Sequence, residues 1–240
     1  MTGETFERIA GKGPLLFLCD HASNRLPPGY GTLGLDAKLF ETHIAYDFGA
    51  AHVTRALAES YGAPALLGAY SRLLIDLNRG PDDPTLVMQL SDGSIIPGNR
   101  GISAEEVAAR TAQFFAPYHQ AIADEAGSDS ILISLHSFTP AWKTVKRKWE
   151  LGVLWDKDGR LAEPLMARMR QAGFEVGDNE PYSGALEGDT LNRHGTLPGR
   201  THVLIEMRQD LVDNQDKAKA MAARLKFILD AALADMRAKD

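Results

Sequence analysis

The sequence predicts an α/β sandwich, with strands and helices alternating along one chain. Short apolar runs of strand length alternate with segments of helical spacing. Polar residues follow several of these runs directly, and open α/β sheets carry their sites at one edge, where strands end. The chain has 240 residues, of which 44% are hydrophobic, which suits one domain with one large core. We therefore expect a single domain over residues 1–240.

The first half of the chain predicts a strand, a helix and further strands. The expected elements are a buried strand at 14–19, a helix over 36–59, and two strands or one bent strand at 65–69 and 73–77. Gly49 falls inside the helical pattern and is expected to bend or interrupt it. Residues 80–101 contain repeated proline and glycine, so we expect a long irregular excursion that is either functional or disordered.

The second half alternates helices with strands. Ser103 and Glu106 form a capping box, which predicts the start of a helix that runs to about residue 126. The other expected elements are a central strand at 130–135, a strand at 151–155, a helix at 161–169 closed by Gly173, and a strand at 202–207. An apolar face from Met221 to Met236 predicts the last helix.

Charge and composition narrow the class of protein. The 26 basic and 32 acidic residues give a net charge of −6, which disfavours a nucleic-acid-binding protein. The basic run at 143–148 is expected to be a solvated face. The sequence shows no leader-like segment and no membrane-length apolar run, so we expect a cytoplasmic protein without a membrane partner. Its single cysteine, Cys19, is expected to be a reduced thiol in the core.

Three predicted strand ends carry residues that suit metal-dependent hydrolysis. His21, His136 and Glu206 each stand at the end of an apolar run. Two histidines and an oxygen ligand would hold a zinc ion and leave a position for water. Either histidine taken alone is better explained as a hydrogen-bonded loop residue, but the three residues together favour a site.

Glu206 is the expected general base. Its strand neighbours are apolar, so burial should raise its pKa. Such a carboxylate can take a proton from water activated by a metal and return it to a leaving amine. The alternative, given equal weight, is a structural ion pair with Arg208 or another arginine.

The segment from Arg72 to Arg79 is a second polar cluster. Arginine can bind a substrate carboxylate through two hydrogen bonds, and it can stabilise an oxyanion. The apolar neighbours of Asp76 indicate burial, so we expect Asp76 to hold an arginine in place. A surface salt-bridge network is the alternative for Arg79.

Other polar residues give weaker signals. His43 and Asp47 stand four apart on the predicted first helix, where a surface pair is favoured over a metal ligand. Asp20 and Asn24 flank His21 and could contribute oxygen, but both are common turn formers. A solvated loop is favoured over a lid around residues 179–200, whose polar members include Tyr182, Arg193, His194 and Arg200.

Five segments, taken in order, resemble the N-formylglutamate amidohydrolase family. They are Cys-Asp-His-Ala-Ser-Asn at 19–24, the residues at 43–50 and 71–79, Ser-Leu-His-Ser at 134–137, and Glu-Met-Arg-Gln-Asp-Leu at 206–211. The resemblance runs from Leu15 to Leu211. Asp-Leu-Asn-Arg at 76–79 is also similar to a motif of aspartoacylases and succinylglutamate desuccinylases, which are similar in fold to zinc carboxypeptidases.

The resemblance implies a three-layer α/β/α sandwich with a mixed sheet, zinc carboxypeptidase-like (phosphorylase/hydrolase-like), that holds one zinc ion. The roles it implies are zinc ligands at His21 and His136, the general base at Glu206, the oxyanion stabiliser at Arg72, and binders of a substrate carboxylate at Asn78 and Arg79. Arg208 and Tyr182 are expected as further substrate contacts. The carboxypeptidase-like pattern has glutamate three residues after its first histidine, where this chain has Asn24. The third zinc ligand is therefore open between Asn24 and Asp47.

The resemblance further implies a hydrolase that converts N-formyl-L-glutamate to formate and glutamate, a small-molecule reaction of histidine degradation. One alternative is a deacylase or carboxypeptidase that acts on another N-acyl amino acid. The other is a metal-free binding protein on the same fold, which Asn24 suggests. The sequence does not indicate an oligomeric state.

Overall fold

A mixed seven-stranded sheet forms the centre of the molecule. The structure, a computed structural model, describes residues 4–239. Its strands are β1 (Phe6–Ile9), β2 (Leu15–Cys19), β3 (Ala65–Gly68), β4 (Leu90–Ser91), β5 (Ser94–Ile95), β6 (Ile131–Phe138), β7 (Ala141–Trp142), β8 (Val145–Lys146), β9 (Leu151–Leu154), β10 (Val176–Asp178) and β11 (His202–Arg208). The sheet order is β1-β3-β2-β6-β11-β9-β10. Strands β3, β2, β6 and β11 are parallel, while β1 and β9 run antiparallel to their neighbours β3 and β11.

Helices cover both faces of this sheet. They are α1 (Ala50–Tyr61), α2 (Ala104–Arg110), α3 (Ala116–Glu125), α4 (Ala162–Gln171) and α5 (Gln215–Arg237). Along β2, Phe17 packs in the core under α1, α4 and α5, whereas Leu16 and Leu18 pack in the core under α3. Cys19 is buried, as predicted. The three-layer α/β/α sandwich with a mixed sheet is thus confirmed.

The predicted helix over 36–59 is wrong in its first half. A short 3₁₀ helix occupies Ala37–Glu41, turns follow, and α1 begins only at Ala50. Gly49 precedes α1 with a φ of 74°, and a methyl group there would lie 2.1 Å from the Val212 carbonyl oxygen. This close approach ends the helical pattern at glycine, and it leaves residues 42–48 to a loop beside the sheet edge.

The expected strand at 73–77 is also absent from the described chain, which forms turns there. Its apolar residues are buried because residues 80–101 fold back over them. That excursion is ordered: it contains the β4–β5 hairpin, and the Asn99 side chain donates hydrogen bonds to the carbonyls of Leu73 and Met88 at 2.7 and 2.8 Å. The excursion at 80–101 therefore covers the apolar residues at 73–77 instead of lying free in solvent.

The remaining predicted elements are present with small changes at their ends. The helix that begins at the Ser103 cap runs through α2, a π-helical turn at Thr111–Phe115 and α3. The other expected strands and helices correspond to β3, β6, β9, α4, β11 and α5. Across residues 4–239, no helix combines the length and apolar character needed to cross a membrane.

Candidate active site

The predicted strand-end residues converge at one edge of the sheet. His21 lies two residues beyond β2, while His136 is in β6 and Glu206 is in β11. Strands β6 and β11 are parallel, and their register places Glu206 directly beside His136. A cavity of about 380 Å³ opens at this edge, and its polar lining includes His21, Asp47, Arg72, Asn78, Arg79, His136, Asp189 and Glu206.

Two histidines and one aspartate form a candidate metal site. Ligand atoms of His21, Asp47 and His136 lie within 4.8 Å of one another, and all three residues are buried. Asp47 Oδ2 lies 2.9 Å from His136 Nδ1 and 3.4 Å from His21 Nδ1. The Nδ1 atom of His21 is buried and makes no hydrogen bond within residues 4–239. Two imidazole nitrogens and a carboxylate are a donor set that zinc prefers, so these residues fit the ion.

Two further carboxylates orient the imidazoles from behind. The Nε2 atom of His21 donates to Asp76 at 2.6 Å, and that of His136 donates to Asp20 at 2.9 Å. Both aspartates are fully buried. Because each Nε2 is engaged, both Nδ1 atoms turn towards Asp47. Histidines that ligate metals are commonly fixed in this way through the nitrogen that does not touch the metal.

The charges in this cluster balance one another. Burial by itself would raise the pKa of Asp47, but His21, His136 and Arg72 outweigh it and hold the pKa well below its usual range. Burial would lower the pKa of His136, but hydrogen bonds to Asp20 and Asp47 raise it to about 10. The carboxylates therefore favour positive charge between them. A cation can replace the protons that the imidazoles hold.

Glu206 is the carboxyl group that the cluster leaves free. Its Oε2 atom is buried and has no hydrogen-bond partner among the residues that the structure describes. Burial and the negative charge of Asp47 raise its pKa to about 7, against the opposing charges of His136 and Arg72. A carboxyl group with a pKa near the ambient pH can both accept and release a proton. The alternative ion pair with Arg208 does not form, since Arg208 pairs with Asp210 at 2.7 Å.

Arg72 is anchored as the sequence predicted for an arginine near Asp76. It donates to Asp76 at 3.3 and 3.4 Å and to Asp47 at 3.3 Å. Asp76 thus holds Arg72 and His21 together. These three bonds occupy three of the five N–H groups of a guanidinium, and Arg72 is among the residues that line the cavity.

Arg79 is a cavity cation that pairs with no carboxylate among residues 4–239. Its guanidinium donates to Thr85 Oγ1 at 3.1 Å and to the Asn78 carbonyl at 2.8 Å. It forms no ion pair with any residue in the described part of the chain. Arg79 is therefore available to an anionic ligand.

Aromatic side chains line one side of the cavity mouth. Tyr182 and Trp142 are half exposed there, and Arg147 donates to the Tyr182 hydroxyl at 3.2 Å. The guanidinium also lies over both rings, 5.2 Å from Tyr182 and 5.9 Å from Trp142. Arg147 thereby fixes the side of the mouth that Tyr182 forms.

Two predicted site residues lie away from the cavity. Neither Asn24 nor Arg208 is among its lining residues. Asn24 uses its amide nitrogen on the Phe40 carbonyl and Glu41, and Arg208 is held by Asp210 and the Trp149 carbonyl. These two assignments are corrected because local partners at the loop and strand ends take both side chains.

Two polar residues have positions different from those favoured by the sequence, and a third residue of the cavity was not predicted. Asp47 is buried between the two histidines instead of pairing with His43 on a helix surface. His194 is buried rather than solvated. Asp189, which no sequence pattern indicated, is a buried carboxylate that lines the cavity. It accepts a hydrogen bond from the backbone amide of Asn192 at 2.7 Å. Its spacing to Asn192 resembles a helix cap, which gave no signal of a cavity.

Comparisons with known proteins show similarity over most of the chain. The model of the N-formylglutamate amidohydrolase family matches residues 13–212. N-formylglutamate deformylase from Pseudomonas aeruginosa is 27% identical, and the alignment covers 93% of this chain and 94% of that protein.

Solved structures show the same fold. The crystal structure of a gene product from Agrobacterium tumefaciens superposes with a TM-score of 0.93 at 35% identity, covering 98% of this chain and 97% of the other. The structure of N-formylglutamate amidohydrolase from Ralstonia eutropha JMP134 superposes with a TM-score of 0.76 at 19% identity, covering 98% and 99% of the two chains. The chain belongs to the N-formylglutamate amidohydrolase family.

Proposed function

We propose that this protein is a metal-dependent amidohydrolase that cleaves N-formyl-L-glutamate to formate and L-glutamate. Membership of the family and the likeness to the Pseudomonas deformylase support the amide bond and the substrate. The observation that carries the proposal is the convergence of two buried histidines and Asp47 beside a free, buried Glu206.

His21, Asp47 and His136 would hold one zinc ion. Asp47 takes the place of the third ligand, since Asn24 lies outside the cavity lining. When bound, such an ion supplies Lewis-acid chemistry: it polarises the amide carbonyl and lowers the pKa of water.

Glu206 moves the proton in this proposal. Its Oε2 atom accepts a proton from the attacking water, as the new C–O bond forms at the formyl carbon. The same proton passes to the amide nitrogen when the C–N bond breaks, so that the product leaves as an amine. A group with its pKa near 7 can serve in both steps without a large energetic penalty in either.

The cavity arginines bind the negative charges of the reaction. Arg72 directs its two remaining N–H groups at the oxygen that gains charge during attack, and Asp47 and Asp76 hold it in place for this role. Arg79, which pairs with no carboxylate in the described part of the chain, binds a carboxylate of the substrate beside Asn78. Tyr182 lines the same cavity as Glu206 and would contact the bound substrate.

Assays on a panel of substrates, with the metal content of the protein measured alongside, test this proposal. The purified protein is assayed for amine release from the N-formyl, N-acetyl and N-succinyl derivatives of glutamate and aspartate, and from a short peptide. Fast hydrolysis of N-formylglutamate alone supports the proposal. Preference for another acyl group or for the peptide identifies a different hydrolase. Binding of N-formylglutamate without hydrolysis, even with added zinc, identifies a binding protein.

A further inference from the structure

Two buried histidines lie behind the segment that carries Asn78 and Arg79. His119 is in α3, and His194 is in a π-helical turn at Asn192–Thr196. Their rings lie nearly parallel, with centroids 5.2 Å apart and an interplanar angle of 13°. His119 Nδ1 lies 2.9 Å from His194 Nε2, and His119 Nε2 lies 3.0 Å from the Leu77 carbonyl oxygen. Neither histidine lines the cavity.

The hydrogen bonds of the pair determine its tautomers. A carbonyl oxygen only accepts, so His119 Nε2 must carry the proton that it shares with Leu77. The neutral imidazole then has an acceptor at Nδ1, and His194 Nε2 must donate to it. Burial lowers the pKa of His119 to about 3 and that of His194 to about 4, so both rings stay neutral near pH 7. His119 Nε2 therefore remains the donor to the Leu77 carbonyl near pH 7.

Thr190 completes the support of the same segment. Its backbone amide donates to the Asn78 side chain at 3.1 Å. Its hydroxyl donates to Asp20 at 2.7 Å, which leaves the imidazole of His119 as the firm donor to the Leu77 carbonyl. The backbone amide of Asn78 in turn donates to the Asp76 side chain at 2.9 Å. The chain from Asp76 to Asn78 is thus fixed at three successive residues, directly before Arg79.

We propose that His119 and His194 are positioning residues for recognition of the substrate carboxylate. By holding the Leu77 carbonyl, they fix the direction in which Asn78 and Arg79 leave the loop. This inference rests on the proposed function, in which Arg79 binds a substrate carboxylate. The pair touches neither the zinc ligands nor Glu206, so its loss should weaken binding while the chemical step and the metal content persist.

His119→Leu and His119→Gln separate this role from packing. Leucine removes both hydrogen bonds, whereas glutamine keeps an N–H donor at the position of Nε2. Phe115→Leu is the matched control, because the centroid of the Phe115 ring lies 4.1 Å from that of His119 and phenylalanine has no hydrogen-bonding group to hold Leu77. Each variant is assayed for KM, kcat, zinc content, thermal unfolding and the Kd of glutarate, a dicarboxylate without an amide.

We expect His119→Leu to raise KM and the glutarate Kd about tenfold, with kcat within about twofold and unchanged zinc, as for loss of one buried hydrogen bond. His119→Gln and Phe115→Leu should stay within about threefold of the parent. His194→Leu, which removes only the second imidazole, gives an intermediate value and replaces His119→Leu if that variant does not fold. Unchanged KM and glutarate binding in the folded variants, or equal losses in Phe115→Leu, would overturn the inference. If the parent does not hydrolyse N-formylglutamate, the proposed function fails, while glutarate binding still tests the positioning role.

Discussion

Glu206 and His136 are neighbours across two parallel strands, although 69 residues separate them in the chain. On its other side, Glu206 faces Gly152 of the antiparallel strand β9. A carboxylate in the middle of a sheet is held by backbone register and needs no flexible loop to reach the site. This relationship places the proposed base beside a proposed metal ligand with little freedom to move.

Glu206→Gln should strongly reduce turnover while leaving the metal site intact. The amide has nearly the same shape but cannot take up a proton, so kcat should fall at least about 100-fold. Zinc content by elemental analysis and thermal unfolding serve as controls, and both should match the parent protein. Full activity in a folded, zinc-loaded variant would exclude Glu206 as the base.

Gly152→Ala should disturb Glu206 through the backbone. A methyl group at this position would lie 2.3 Å from the Glu180 carbonyl oxygen and 3.2 Å from Glu206 Cβ. We expect a loss of about 1–3 kcal/mol in the free energy of unfolding, together with lower kcat. Gly127→Ala is the control, since its methyl group would meet nothing closer than 3.9 Å. Equal denaturant midpoints for the two variants would show that the close contacts at Gly152 do not affect stability.

Arg79→Lys should weaken substrate binding more than it slows the chemical step. A lysine keeps the charge but loses the planar fork that binds a carboxylate with two hydrogen bonds. KM for N-formylglutamate should rise about tenfold, and kcat should change little. Arg100→Lys, at an exposed arginine, provides the control. A lower kcat at constant KM would assign Arg79 to the reaction centre instead.

The buried histidine pair should make the protein less stable in weak acid. His119 and His194 have folded pKa values of about 3 and 4, below the unfolded value of about 6.5. Between the folded and unfolded pKa values, the unfolded chain binds more protons than the folded one. The free energy of unfolding is therefore highest above pH 6.5, and it falls as the pH decreases, by up to about 1.4 kcal/mol per pH unit for each histidine.

His119→Gln checks this dependence, because it removes one of the two titrating rings. The charged neighbours Arg193, Arg200 and Asp20 remain in both proteins. Urea unfolding at pH 6.5 and pH 5 should show a smaller loss for the variant than for the parent. Identical losses would indicate that the carboxylates alone set the acid stability.

The sequence predicted the parts of the site that follow apolar strands. His21, His136 and Glu206 were identifiable because each ends a hydrophobic run, and parallel strands bring such ends to one edge. The position of Asp47 could not be predicted in the same way, because helical spacing continues through Gly49 and favours a surface pair with His43, and only the family resemblance keeps Asp47 open as the third zinc ligand. The contact between Gly49 and Val212 that ends the helical pattern joins residues 163 positions apart and leaves no local signal.

The hydrogen bonds of His119 and the structure of the excursion at 80–101 were likewise not predictable from the local sequence. The partner of His119 is 75 residues away, and its second hydrogen bond goes to a backbone carbonyl, which no sequence pattern marks. The excursion lacks periodicity because Met88, Ile96 and Asn99 pack singly against the turns at 73–77 rather than as a regular face. Tertiary contact, not local propensity, orders both features.

Zinc reconstitution tests the central claim most directly. The protein is stripped with a chelator, dialysed, and titrated with zinc while the heat of binding and the release of formate from N-formylglutamate are followed. We predict one zinc per chain, with activity rising in proportion, and at least about a 100-fold weaker affinity in Asp47→Ala. Full hydrolysis by the stripped protein, or parental zinc binding by Asp47→Ala, would contradict the account.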